Sequence, residues 1–207
     1  MTYEKDLVVL VADLDAENAI TALLGRSSAL GTHSIAYSLV RHTERDPGCC
    51  KSCVEMLRRY QTTHAHALVV FDRHGSGRDG EDREAIEHII EDALRRSGWG
   101  DRAAVIVLDP ELEIWVWSDS PHVYSALGWT NRNDLDEFLL QEGWIKTGQV
   151  KPIQPKEAMR AALKRSQTAI SARTFEQLAE NVSINRCADP AFTKLKAVLR
   201  SWFSNNQ

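Results

Sequence analysis

Three apolar runs of this chain each end in an aspartate: Leu7-Val8-Val9-Leu10-Val11-Ala12-Asp13, Ala67-Leu68-Val69-Val70-Phe71-Asp72 and Val105-Ile106-Val107-Leu108-Asp109. Carboxylates delivered to one place from separate strands suit a hard divalent cation, because Mg2+ and Mn2+ take oxygen ligands and keep several waters. Two or three such groups suffice. Glu17 stands four residues after Asp13, one helical turn on, and His74 stands two residues after Asp72. Asp13, Glu17 and Asp72 are therefore the candidate catalytic acids and metal ligands, with His74 and Glu113 as further candidate ligands. A structural role competes at each position. Acids at strand ends also cap helices, as Asp13 or Asp15 can do here. Glu111 and Glu113 either join the site or open a helix, and His74 suits a solvated loop equally well.

The runs that carry these acids are continuous and rich in β-branched residues, the pattern of strands buried on both faces of a parallel sheet. Their carboxyl ends share one edge, where ligands bind in open α/β folds. Between them the spacing predicts a helix over 14–24, a strand over 33–40, a loop at Asp46-Pro47-Gly48, a helix over 50–62 and an amphipathic helix over 81–97. Strand and helix alternate through the first ~110 residues, which predicts crossover helices on a parallel or mixed sheet. The 111–117 segment reads as a short strand or the opening of a helix, and its acid-rich first turn favours the helix. Further helices are expected at 120–126, 133–142, 155–166, 171–182 and 189–203, the last opened by Asp189-Pro190. Gly75-Ser76-Gly77 lacks the Lys-Ser/Thr of a phosphate-binding loop.

The expected organisation is an α/β domain over 1–144 and a basic helical extension over 145–207 packed on it. The net charge of −4 conceals that division. Residues 1–144 hold 25 acids and 14 Lys/Arg, whereas 145–207 hold 4 acids and 11 Lys/Arg. A basic tail either grips a polyanion or packs on the acidic body. On the first alternative Lys151, Lys156, Arg160, Lys164 and Arg165 are candidate nucleic-acid contacts. No apolar stretch reaches the ~18 residues of a membrane span, and Met1-Thr2-Tyr3-Glu4-Lys5-Asp6 lacks the basic-then-apolar layout of a signal peptide. A cytoplasmic protein without membrane contact is expected. Cys49, Cys50 and Cys53 cluster, but the other half of a zinc site would be His64 and His66, close together at the start of a strand. Reduced, partly buried cysteines are the favoured reading.

Asp13-Leu14-Asp15-Ala16-Glu17 and Asp72-Arg73-His74 resemble the two acidic motifs of the Toprim fold family, which includes primase and topoisomerase catalytic domains and related nucleases. In that family an acid after the first strand is followed four residues later by another, and Asp-x-Asp follows a later strand. Here Asp13 replaces the usual Glu, Leu14 the usual Gly, and His74 the second Asp. Pro110-Glu111-Leu112-Glu113-Ile114-Trp115, then Lys151-Pro152…Pro155-Lys156, then Phe192 before Leu195 are similar in order and spacing to a narrower group. These are small Toprim-like proteins of bacterial defence islands, in particular those of methylation-associated, restriction–modification-like antiphage systems. The resemblance implies a Toprim-like, mostly parallel sheet flanked by helices, followed by a helical tail. It also implies a role in antiviral defence beside other defence proteins.

Three functions follow as expectations. In the first, Mg2+ or Mn2+ held by Asp13, Glu17 and Asp72 serves phosphodiester hydrolysis or transfer, with the basic tail on a nucleic-acid backbone. In the second, the protein is a non-catalytic accessory or sensor subunit that binds defence proteins or nucleic acid. Leu14 favours this reading, because its bulk crowds a phosphate approaching that turn. In the third, Asp13-Leu14-Asp15 imitates the Asp-x-Asp of haloacid-dehalogenase-type phosphatases. That reading can draw its hydroxyl from Thr43 but finds no convincingly placed lysine between the core strands.

Overall fold

The computed structural model describes residues 2–118, 120–149, 151–169, 187 and 189–204. The helix expected over 171–182 lies outside them. The elements run β1 (Lys5–Val11), α1 (Leu14–Leu24), α2 (Ser27–Leu30), β2 (Tyr37–Arg41), α3 (Arg45–Leu57), β3 (His64–Asp72), α4 (Arg83–Leu94) and β4 (Ala103–Leu108). Helices α5 (Glu113–Val116), α6 (Pro121–Ala126), α7 (Arg132–Gln141), α8 (Pro155–Arg165) and α9 (Pro190–Phe203) follow. The four strands form one all-parallel sheet in the order β2-β1-β3-β4.

Both faces of that sheet are covered, which explains the unbroken apolar runs. Leu7, Val9, Val11, Leu68, Val70, Ile106 and Leu108 pack with α1 and with residues of α5 to α9. Val8, Leu10, Val69, Phe71, Val105 and Val107 point the other way, onto Cys49, Cys53 and Leu57 of α3 and Ile86, Ile90 and Leu94 of α4. Ala158, Met159, Leu163, Leu195 and Leu199 share one apolar cluster with the sheet, so the basic C-terminal helices complete a core begun by the first strands. No helix among the described residues is long and apolar enough to cross a membrane.

Local departures from expectation have local causes. Asp46-Pro47-Gly48 opens α3 instead of forming a loop. Proline is tolerated in a first helical turn, where its missing N–H has no partner to lose. Gly48 is required there by the ring of His42, which a Cβ would meet at 1.9 Å. His42 in turn accepts from the Glu44 amide (3.1 Å) and bonds Ser52 Oγ (2.9 Å), tying the end of β2 to the start of α3. Strand β2 begins at Tyr37, later than the apolar pattern indicated. Asp13 is the residue that caps α1, accepting from the Ala16 amide at 3.0 Å. Ile89, an apolar residue within α4, is 46% exposed.

The free edge of β4 is closed by side chains. Its outward amides at Val105 and Val107 donate to Glu91 Oε1 and Glu87 Oε1, both at 2.9 Å. Those carboxylates, one turn apart on α4, are held by Lys194 of α9 at 2.7 and 3.1 Å, and Glu87 also takes Arg83 at 2.7 Å. A bare strand edge is a template for unwanted pairing; here an ion-pair network occupies it. Glu87 is 2% exposed. Replacing it by alanine leaves Val107 N–H, Arg83 and Lys194 without that partner, and we expect a loss of about 3–5 kcal/mol in urea unfolding. Glu55→Ala, at an exposed position on α3 away from this network, is the control expected to stay within about 0.5 kcal/mol.

Candidate metal centre

The strand order reverses between β1 and β3. From β1 the chain crosses to β2 by α1 on one face, and from β2 it returns to β3 by α3 on the other. Ligand sites of open α/β sheets lie at such a switch point, beyond the carboxyl ends of the strands. Val11 pairs with Val70, so Asp13 and Asp72 leave the sheet side by side. A cleft there is lined by Asp13, Asp15, Asp46, Asp72, Leu112, Glu113 and Lys156.

Each acid is brought by a different piece of local structure. Asp13 arrives as the cap of α1. Asp46, in the first turn of α3, accepts the Asp72 backbone N–H at 2.8 Å and thereby joins the α3 N-terminus to the end of β3. Asp72 Oδ1 accepts the Leu112 amide at 2.9 Å, which draws the 110–113 segment over the cleft. This segment follows the cis Asp109-Pro110 peptide and leads into α5, with Glu111 and Glu113 4% and 6% exposed. Ligand oxygens of Asp72, Glu111 and Glu113 lie within 4.8 Å of one another, and this is the one such grouping of potential metal ligands among the described residues.

Among the described residues, a lysine faces the Glu111 and Glu113 carboxylates. Lys156, at the start of α8, places Nζ 3.4 Å from Glu113 Oε1 and 3.8 Å from Glu111 Oε2. Its backbone N–H donates to Glu111 Oε1 at 3.0 Å. Lys156 is thus turned inward, whereas Arg160, Lys164 and Arg165 of the same helix are exposed, and Lys151 lies 3.7 Å from Asp189. Burial lowers the Lys156 pKa, but the combined fields of Glu113, Glu111 and Asp72 outweigh it, and the pKa stands above its ordinary value.

A single ammonium does not neutralise the cluster. Burial pushes the Asp72 carboxyl well above the usual aspartate range, and the nearby Asp46 and Glu113 push it further. Asp46, Glu113 and Asp15 are likewise raised, each chiefly by burial. The donors are all oxygen, three are convergent, and negative charge is in excess. This set fits a hard divalent cation.

Other residues singled out in the sequence sit apart from this convergence. Glu17 faces away from the cleft and pairs with Arg41 at 2.7 Å. His74 is exposed, with Nδ1 3.8 Å from Glu111 Oε2, at the rim. Asp109 pairs with Arg73 at 2.8 Å. Asp46 and the inward role of Lys156 were not foreseen: the first sits in what reads as a turn, the second 84 positions after Asp72. The cysteines are buried in the core, and burial raises Cys53 to about 12, so these thiols stay protonated. His64 bonds Thr63 and Ser38, while His66 stacks on Trp202, and neither meets the cysteines.

No protein-family model, curated protein or solved structure matches the chain. The chemistry of the site therefore rests on its own geometry. An acid with a raised pKa favours the fold while protonated, and that contribution is lost as pH climbs from the unfolded value, about 3.9 for aspartate, through the folded one. Without divalent cations, Asp72→Asn is expected to raise the Tm at pH 7 and to flatten the decline in stability above pH 4. The amide oxygen still accepts the Leu112 N–H. Thermal melts from pH 4 to 8 measure both effects, and a lower Tm for the variant at pH 7 contradicts the assignment.

Proposed function

We propose that this chain is a divalent-cation-dependent enzyme acting on phosphodiesters, with the cation held by Asp72, Glu111 and Glu113 and with Asp13 beside them. The observation that carries this reading is the convergence of buried Glu111 and Glu113 with half-buried Asp72 at the sheet's switch point, with too little positive charge to balance them. Asp72, Glu111 and Glu113 would bind the ion directly, and Mg2+ or Mn2+ matches their oxygen donors. Bound there, the ion supplies Lewis-acid polarisation of a phosphoryl oxygen and lowers the pKa of a water. Asp46 holds the Asp72 main chain in place, and Asp13, fixed as a helix cap, adds negative charge on the β1 side. Lys156, Arg160 and Lys164 follow one another at four-residue intervals, so a cationic side of α8 runs outward from the cleft at about 6 Å per step. That track suits the backbone of a nucleic acid. The Toprim-like motif order supports placing the activity in cytoplasmic antiviral defence, beside other proteins of a methylation-associated system.

A second reading is favoured by two particular observations. Lys156 already sits on the cluster, and Leu14, directly after the cleft residue Asp13, is 46% exposed. Both would suit an accessory subunit in which the acids no longer serve catalysis. Isothermal titration with Mn2+, combined with cleavage assays on single- and double-stranded DNA and RNA, separates the two. The enzyme reading expects Mn2+ binding at millimolar concentration or below, lost in Asp72→Asn and Glu113→Gln, and Mn2+-dependent cleavage abolished by the same changes. Binding without cleavage of any of the four polymers supports the accessory role. Absence of binding removes the metal-dependent reading.

A further inference from the structure

The N-terminus of α8 has no cap of its own. Gln154 makes no side-chain capping bond, and proline opens the helix. The amide of Lys156 is satisfied instead by Glu111, from another element and a member of the acidic triad. The Lys156 side chain then folds back to the same acids, at ion-pair distance from Glu113 and Glu111 but without a short contact to either. Trp117 Nε1 donates to the Pro155 carbonyl at 3.0 Å, a further tie on this first turn. Beyond it, α8 is anchored independently by buried Ala158, Met159, Ala162 and Leu163. Pro155 is buried as well, so the contacts that can give way without the helix leaving the core are those of the Lys156 amide and side chain.

We propose that Lys156 is a displaceable internal counter-ion, a latch that the first turn of α8 lays across the acidic cleft and that a divalent cation pushes aside. This rests on the cation-site reading above and adds its regulation. The ammonium and the divalent ion compete for the same carboxylate oxygens of Glu111 and Glu113. A cation that draws on Glu111 also weakens the bond that caps α8. Cation binding is thereby coupled to release of the Lys156 amide, and the released lysine is left at the head of the cationic track that leads away along Arg160 and Lys164.

The test uses the full chain and Mn2+ alone, with two variants, Lys156→Met and Lys156→Gln, that keep the length of the side chain or its polarity. Removing a unit charge at this distance should tighten Mn2+ binding by about tenfold or more in both variants. In the wild type, saturating Mn2+ should accelerate hydrogen exchange of the Lys156 amide, while Ala162 and Leu163 stay protected. Unchanged or weaker Mn2+ binding in both variants overturns the latch and leaves the cation site standing. So does exchange at Lys156 that slows or stays constant with Mn2+. Failure of the wild type and both variants to bind Mn2+ overturns the cation site itself, and the latch with it.

Discussion

Everything at the acidic cleft depends on the parallel pairing of β1 with β3. These two strands are adjacent in the sheet, yet they belong to crossovers that run on opposite faces. No helix can cover the gap above their carboxyl ends, so the polar residues that end each strand meet there. Burial of both sheet faces by α1, α3, α4 and the C-terminal helices fixes the register to the residue. Asp13 and Asp72 leave the sheet together because Val11 and Val70 are partners within it. The carboxylates are held close by a core that has no electrostatic reason to do so.

That geometry has an electrostatic consequence. Asp46, Asp72 and Glu113 are desolvated and near one another, and each is pushed toward its protonated form. The chain answers with cations from its basic end. Lys156 reaches Glu113 and Glu111, and Lys194 reaches Glu87 and Glu91 at the far edge of the sheet. Part of the charge asymmetry between the two ends is thus consumed within the molecule, where the tail neutralises the body. Tryptophans make the same join by hydrogen bonding: Trp115 to Asp189, Trp117 to Pro155 and Trp129 to Ala162. Arg160, Lys164 and Arg165 stay exposed after these commitments and can meet a polyanion.

The sheet and most helices were legible in the sequence because they follow from periodicity. Unbroken β-branched runs marked β1, β3 and β4, and the apolar stripes of α1, α4 and α9 fell within a few residues of their observed limits. Asp13 and Asp72 were legible because strand ends are. Partners decided by long-range contact were not. Asp46 occupies an Asp-Pro-Gly that reads as a turn, and only the fit of Gly48 against His42 makes it helical and aims it at Asp72. Glu17 has the right spacing from Asp13 to share its edge, but Arg41 at the end of β2 takes its carboxylate. Lys156 looked like one more residue of a basic tail, since nothing local distinguishes it from Arg160. Its inward turn follows from Glu111 capping α8, a contact spanning 45 positions.

The central claim is that the carboxylates at the β1–β3 switch point form a cation site. Anomalous diffraction from crystals equilibrated with millimolar Mn2+ near pH 7.5 tests it directly. One strong manganese peak bonded to Asp72, Glu111 and Glu113 is expected, with the Lys156 ammonium withdrawn from its place against Glu113 and Glu111. A cleft without manganese, and with Lys156 still seated on Glu113 and Glu111, would contradict it.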